Sequence, residues 1–561
     1  SMKDLSLEFK SKLQKLFIEK KFSNLEFELE SLGNIRELPN NIRYLYAISK
    51  SLNLKSKKSD LELAVSLITD IYLENKKNLE PLYNLIVVSL KAEKYKKTIE
   101  ILKEALEENP KDEKIIDGLG KLNYVLANID ESYKFYKLLF EINPEQILSR
   151  QTFLTLLNYH PNISQKEYLL ECKKYCKIIE KDVNFEFNYK KDKSHKIKIG
   201  FLSSDFKKHS VSYFLKSLLK NLDKNQFEIT AFSNLKISYH DQITLELKKN
   251  FDYWYDVTIY PDSDLIHFIR KKNIDIIIDL NGYTFGNRFH IFANRVAPIQ
   301  MLWLGYCNST ALKNMDFLIS DKNCIKKDEE KLYTEKIIYL ENIWNTMYLP
   351  NSLPDIKDLP YNTDKVFTFG SFNNFQKISS KTILIWSKIL NNTNSRILLK
   401  NSIMDNEEIN LNLKEKFLKN NVREDKICIL NFKKNNFDHL SLYNQVDLAL
   451  DTFPYNGVTT TFESLLMGVP VLSLKGFNFN SRCGESINRN LDLENFIAEN
   501  EEDYYLKALN NFNNKEHLSE LRKALRKKVM LSPLLNDKEF NKTFSENLKT
   551  IWKDFLASKF N

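Results

Sequence analysis

The run Asp451-Thr-Phe-Pro-Tyr-Asn-Gly-Val-Thr-Thr-Thr-Phe-Glu-Ser-Leu-Leu-Met-Gly-Val-Pro470 places hydroxyls, an amide and a carboxylate directly after a short apolar segment. Val446-Asp-Leu-Ala-Leu-Asp451 has the length and character of a buried parallel strand. Pro454, Asn456 and Gly457 then interrupt regular structure, with Val458 leading into Thr459 and Thr460. Thr460-Thr-Phe-Glu463 has the spacing of a capping box opening a helix. A helix that opens past a strand's carboxyl end offers free N–H groups and a positive dipole end to a phosphate or diphosphate. The threonine hydroxyls could donate to phosphate oxygens, and Glu463 could accept from ribose hydroxyls. An ordinary capped helix in an α/β domain satisfies the same spacing.

Two further residues sit where chemistry is possible. His209, in Ser203-Ser-Asp-Phe-Lys-Lys-His-Ser-Val-Ser-Tyr-Phe214, follows a candidate strand and could take a proton near neutral pH or bind a sugar. A solvent-facing loop histidine is its ordinary alternative. Lys377, in Phe369-Gly-Ser-Phe-Asn-Asn-Phe-Gln-Lys-Ile-Ser379, has the equivalent placement later in the chain. A fixed ammonium there would lower the barrier as a nucleoside diphosphate departs with growing negative charge. In so lysine-rich a chain, a solvated surface lysine is the plainer reading. Asp262-Ser-Asp264 has Asp-x-Asp form, but it precedes a helical pattern and reads as a cap.

Positioning these groups requires strands. Candidates run at Lys196–Leu202, Phe227–Phe232, Ile274–Leu280, Gln300–Leu304, Phe317–Ser320 and Lys336–Leu340. A second set runs at Val366–Gly370, Arg396–Leu399, Lys426–Leu430, Val446–Leu450 and Val469–Leu474, after a proline-marked link over 350–364. Helical patterns around Val211–Leu222 and Asp264–Lys271 separate several of them, which predicts parallel sheets covered on both faces. Residues 1 to about 185 instead read as helices almost throughout, within a helical domain over 1–190. Asn109-Pro110 and Asn143-Pro144 mark a 34-residue period of paired helices resembling tetratricopeptide repeats. A non-repeating helical domain is the alternative; either presents a face to another chain.

The 561 residues, with 43% hydrophobic and 28% charged positions, suit a multidomain globular protein. The net charge of +9 comes from 83 basic and 74 acidic residues that are interspersed, so no nucleic-acid stripe is expected. Six cysteines, at 172, 176, 307, 324, 428 and 483, give neither a zinc pattern nor a disulfide framework. No signal peptide or membrane-spanning run is apparent, and a cytoplasmic protein is expected.

Asp205-Phe with His209, Asn281-Gly-Tyr-Thr284, Ala297-Pro-Ile-Gln300, Trp303-Leu-Gly-Tyr306, Phe369–Lys377 and Asp451–Pro470 occur in one order. Together they resemble the protein O-GlcNAc transferase family, including its SPINDLY-type O-fucosyltransferase branch, over roughly 195–535. The resemblance implies an α/β fold with an all-α N-terminal domain: tetratricopeptide-like repeats (1–190), then a two-Rossmann GT-B enzyme. Its halves would span 195–355 on the acceptor side and 362–535 on the nucleotide-sugar side, with a C-terminal helix over 536–561 packing back on the first. The implied reaction is inverting, metal-independent transfer of GlcNAc from UDP-GlcNAc to a serine or threonine of a protein acceptor. No cofactor is implied beyond the nucleotide-sugar substrate.

Carried over by position, Lys377 matches the lysine that neutralises the donor diphosphate, and Asn374 a donor contact. His439 matches a nucleotide-contacting histidine, Thr459 and Thr460 the paired threonines on the diphosphate, and Glu463 the acidic residue holding the ribose. Asn456, Gly457 and Val458 complete the expected donor loop, and His209 matches the active-site histidine. Val458 departs from the histidine of animal O-GlcNAc transferases and from the threonine of SPINDLY-type proteins. Cys307-Asn-Ser-Thr310 departs from the glycine-containing loop often seen there. GDP-fucose is the alternative donor, and a non-catalytic adaptor is a further alternative.

Overall fold

The computed structural model describes residues 5–188 and 195–560, so the expected boundary at residue 190 and the final residue 561 lie outside the described residues. Contacts divide the chain into two compact units. One runs through Gln146 and includes Asn406–Leu413; the other comprises Ile147–Asp405 and Lys414 onward.

The first unit is built of antiparallel helix pairs. The 34-residue pattern corresponds to helices Glu80–Ala92 with Lys96–Glu108, then Glu113–Val125 with Ile129–Ile142. Each pair ends one residue before the Asn-Pro markers. Small residues let the helices approach: a Cβ on Gly120 would come within 2.8 Å of the Tyr136 ring. The Ser132 hydroxyl donates to the Gly120 carbonyl at 2.7 Å across the same contact. Asp112 caps Glu113–Val125 by accepting from the Ile115 N–H at 3.0 Å. Glu408 accepts from the N–H groups of Tyr95 (3.0 Å) and Lys96 (2.8 Å), supplying the anionic cap that Lys96–Glu108 lacks locally.

The second unit holds two wholly parallel sheets. Strands β1 (Ile197–Ser203), β2 (Phe227–Ser233), β3 (Tyr253–Asp256), β4 (Ile276–Asp279), β5 (Ile299–Leu302), β6 (Phe317–Asp321) and β7 (Lys336–Leu340) form the first, in order β3-β2-β1-β4-β5-β6-β7. Strands β8 (Phe367–Ser371), β9 (Ser395–Leu399), β10 (Ile427–Ile429), β11 (Leu448–Leu450), β12 (Val471–Leu474) and β13 (Ile497–Ala498) form the second, in order β10-β9-β8-β11-β12-β13. Almost all central positions are buried, as expected for strands with helices on both faces. In each sheet the chain order reverses once, between β1 and β4 and between β8 and β11. Loops leaving the carboxyl ends at such a switch point diverge and open a crevice.

The sequence pattern ran the helical domain to about residue 190, whereas contacts end the first unit at Gln146. Helices Arg150–Leu157 and Gln165–Ile179 belong to the α/β unit because buried amides tie them there. Asn158 donates to the Tyr306 hydroxyl at 2.9 Å and accepts from Asn308 (2.8 Å) and Asn480 (2.6 Å). Gln165 donates to Asn308 at 2.7 Å and accepts from Asn478 at 2.9 Å. At the other end, helix Asp537–Phe560 lies on the first sheet's side, with Phe544 4.9 Å from the fully buried Trp303. Among the described residues no helix is long and apolar enough to cross a membrane.

Candidate active site

The loop after β11 is organised by one buried carboxylate. Asp451 accepts from the N–H groups of Thr452 and Gly457, both at 2.9 Å, and from the Ser473 hydroxyl at 2.7 Å. Burial pushes its pKa up to about 6, against the opposing pull of those donors and of Lys377. Asn456 is fully buried and its side chain is held within the loop: it donates to the Thr452 carbonyl (2.8 Å) and accepts from the Gly484 N–H (3.0 Å). Gly457 is required by close approach, since a Cβ there would lie 2.5 Å from Asn373 Oδ1 and 2.7 Å from Thr460 Oγ1.

Helix Thr459–Leu466 starts at this loop, with Val458 as the residue before its first turn. The expected Thr460–Glu463 capping box does not form. The helix begins two residues earlier than that box needs, so Thr460 is already its second residue and cannot cap. Its hydroxyl donates instead to Asn373 Oδ1 at 2.6 Å. Glu463 turns away to His439, whose Nε2 is 2.6 Å from its carboxylate, and to the Tyr443 hydroxyl at 3.3 Å. With no side-chain cap, the first-turn N–H groups retain their capacity for an anion.

Lys377 ends a short 3₁₀ turn, Phe375–Lys377, on the loop after β8. Its ammonium lies 3.4 Å from the Asn456 carbonyl and 4.7 Å from the centre of the Tyr455 ring. Tyr455 in turn stacks on Tyr159 at 4.8 Å and 18°. Burial lowers the pKa of Lys377, and the field of Asp451 holds it up. Asn374 caps the same turn by accepting from the Gln376 N–H at 3.0 Å. The lysine is therefore held by a carbonyl and a π face, without a carboxylate in ion-pair contact among the described residues, which leaves its charge available to an anionic ligand.

His209 comes from the facing half, as the residue before helix Ser210–Asn221. Its Nδ1 accepts from the Val211 N–H at 3.1 Å, so the neutral ring carries its proton on Nε2, which lies 3.9 Å from Asp205 Oδ1. This helix meets Thr459–Leu466 through Phe214 and Phe462, whose rings are 5.2 Å apart. Lys208 donates to the Lys434 carbonyl of the second half.

The structure thus joins Lys377 to Asn456, Glu463 to His439, and Thr460 to the β8 loop, and it puts His209 at the start of the helix that meets Thr459–Leu466. Sequence reasoning missed Asn373, Tyr443, Tyr455 and Tyr159. Asn373 adjoins a named residue and was within reach of pattern reading. Tyr159 was not, because its role depends on a helix folded against a loop three hundred residues later. Among the described residues no group of three or more His, Cys, Asp or Glu could hold a metal.

Paired doubly wound halves, with polar strand-end loops facing one crevice, define a GT-B type glycosyltransferase fold. The chain belongs to glycosyl transferase family 41, whose model matches residues 157–357 and 357–544. It is 29% identical over 361 residues to the Solanum lycopersicum protein described as probable UDP-N-acetylglucosamine–peptide N-acetylglucosaminyltransferase SPINDLY, covering 64% of this chain and 39% of that one. The Arabidopsis thaliana protein of the same description is 30% identical over 377 residues, covering 66% and 41%. The chain therefore spans about two fifths of these relatives' length. Among solved structures, a mutant of the Thermobaculum terrenum O-GlcNAc transferase shares the fold with a TM-score of 0.81, at 23% identity over 93% of this chain and 99% of that one.

Proposed function

We propose that the chain transfers a sugar from a nucleoside diphosphate donor to a hydroxyl of a protein acceptor, by single displacement with inversion and without a metal. The arrangement of Lys377 carries this reading: a half-buried ammonium on a carbonyl and a ring, beside a helix start with no side-chain cap. In the proposed step the acceptor oxygen bonds to the anomeric carbon while the bond from that carbon to the diphosphate breaks, and the hydroxyl proton passes to an oxygen of the departing diphosphate. The electron pair leaves on the diphosphate, and Lys377 with the N–H groups of Thr459 and Thr460 stabilises it. Glu463, oriented by His439, holds the ribose. His209 donates from Nε2 to the sugar or acceptor; a strong base is not needed with so good a leaving group. Bringing donor and acceptor together contributes on the order of 7 kcal/mol or more in favourable systems.

UDP-GlcNAc is the preferred donor, in line with the names of the relatives. GDP-fucose is the second reading, on the SPINDLY-like runs His209–Phe214 and Thr459–Ser464. The acceptor would be a protein or peptide, engaged in part through the helical repeats. Calorimetric titration of UDP-GlcNAc, UDP-Glc, UDP-GalNAc and GDP-fucose, with and without chelator, tests the reading. One donor should bind in the micromolar range irrespective of chelator. Binding that requires a divalent metal, or no binding by any donor, would refute it.

A further inference from the structure

Lys400 follows β9 directly and is 2% exposed. Its backbone N–H donates to the Ser371 carbonyl at 3.2 Å, holding the end of β9 against that of β8. Its ammonium lies 5.2 Å from the centre of the Phe432 ring, on the loop after β10. Among the described residues its ammonium has no hydrogen-bond partner and no carboxylate within 4.0 Å. The ammonium is the tip of an otherwise buried side chain and has a ring as its contact, which leaves its N–H donors open to a ligand. Burial pushes its pKa down to about 8; Glu463 and Asp405 pull it up, while Lys208 and Lys433 push it further down.

Its place in the sheet locates the ligand group it would meet. In the order β10-β9-β8-β11, Lys377 turns from the β8 loop toward Asn456 on the β11 side, whereas Lys400 ends β9 and lies over Phe432 on the β10 side. The two lysines therefore face different parts of the crevice. The β10 loop leads into helix Asn436–Ser441, whose His439 holds Glu463, so Lys400 sits on the side where the proposed function places the ribose. The loop carrying Phe432 is fixed there by its N–H, which donates to Asp405 at 2.6 Å. A nucleobase is the part of a nucleotide beyond the ribose, away from the diphosphate.

We infer that Lys400 reads the donor's nucleobase by donating a hydrogen bond to a ring carbonyl beside Phe432, and so selects bases with a keto edge. Lysine donates and cannot accept. Uracil and guanine offer carbonyl oxygens where cytosine and adenine carry amino groups, which would face the ammonium donor against donor. The inference rests on the nucleoside diphosphate reading of this site and narrows it to uridine or guanosine donors.

The test is calorimetric titration of the full chain with UDP, CDP, GDP and ADP, for the wild type, Lys400→Met and Lys400→Gln, with melting temperatures as a check on folding. The wild type should favour UDP over CDP, or GDP over ADP, by about tenfold or more, the scale of one charged hydrogen bond. Both variants should fall to a ratio under about threefold, through weaker binding of the keto nucleotide. Glutamine can also present an acceptor, so its loss of preference separates readout from packing. Retention of the wild-type ratio would overturn the inference, as would equal weakening of all four nucleotides, which would make Lys400 a phosphate cation. A wild type that binds none of the four would overturn the donor reading itself.

Discussion

At His209 a single backbone hydrogen bond decides what the side chain can do. Because Nδ1 accepts from the Val211 N–H at 3.1 Å, the available Nε2 of the neutral ring is a donor. A donor's loss should slow transfer by about tenfold to a hundredfold, whereas loss of a general base costs about 10²–10⁴-fold. His209→Ala, assayed with donor and acceptor saturating, is expected in the lower range, with His209→Gln recovering part of the rate. Unchanged rates would remove the residue from the site. The charges around Lys377 give a second residue-scale prediction. Asp451, raised to about 6 by burial, supports the ammonium only when ionised, so kcat/KM should fall as pH drops through about 6. Burial lowers the pKa of Lys377, so its charge is lost below the usual lysine range and activity should fall on that alkaline side too. A profile flat from pH 5 to 10 would contradict both roles.

At the scale of elements, the site depends on loops that leave adjacent parallel strands at a switch point. Gly457 is a point of close approach, where the β11 loop passes between Asn373 and Thr460. Gly457→Ala should push those loops apart, costing about 1–3 kcal/mol of stability and raising KM for the donor. Normal donor affinity in that variant would show the loop is not part of the site. The strands carrying these loops were legible because each is a short apolar run followed by a polar loop. β3 was not: Tyr253-Trp-Tyr-Asp256 is an edge strand with half-exposed aromatics and no apolar run. β13 has only two residues and no pattern to detect. The Thr460-x-x-Glu463 spacing was visible but misleading, because long-range partners, Asn373 and His439, outcompeted the local cap. Lys377, Thr460 and Glu463 could be placed from their strand-end positions; the Tyr159–Tyr455 stack supporting Lys377 could not, since no local pattern encodes a contact between distant segments.

On the scale of the α/β unit, the halves are held by contacts that bracket the crevice. Arg482 donates from its two terminal guanidinium nitrogens to Glu329, at 2.6 and 3.0 Å, and Ser486 donates to Asp321 at 2.7 Å. The bidentate geometry and low exposure make this pair more consequential than a surface ion pair. Helix Asp537–Phe560 closes the chain over the first half, with Phe544 against Trp303. Phe544→Ala should therefore cost about 3–5 kcal/mol and lower the thermal midpoint. A midpoint matching the wild type would mean that the helix contributes nothing to the unit's core. Family 41 membership and the GT-B fold set the class of the molecule, and the proposed reaction depends on one ammonium within it. The most direct test is the single-turnover transfer rate of Lys377→Ala at saturating donor, with its melting temperature alongside. The expected result is a rate at least about 10²–10³-fold below wild type in a fully folded protein, the scale of losing one charge stabiliser. Transfer at the wild-type rate would contradict the assignment of Lys377 to the departing diphosphate.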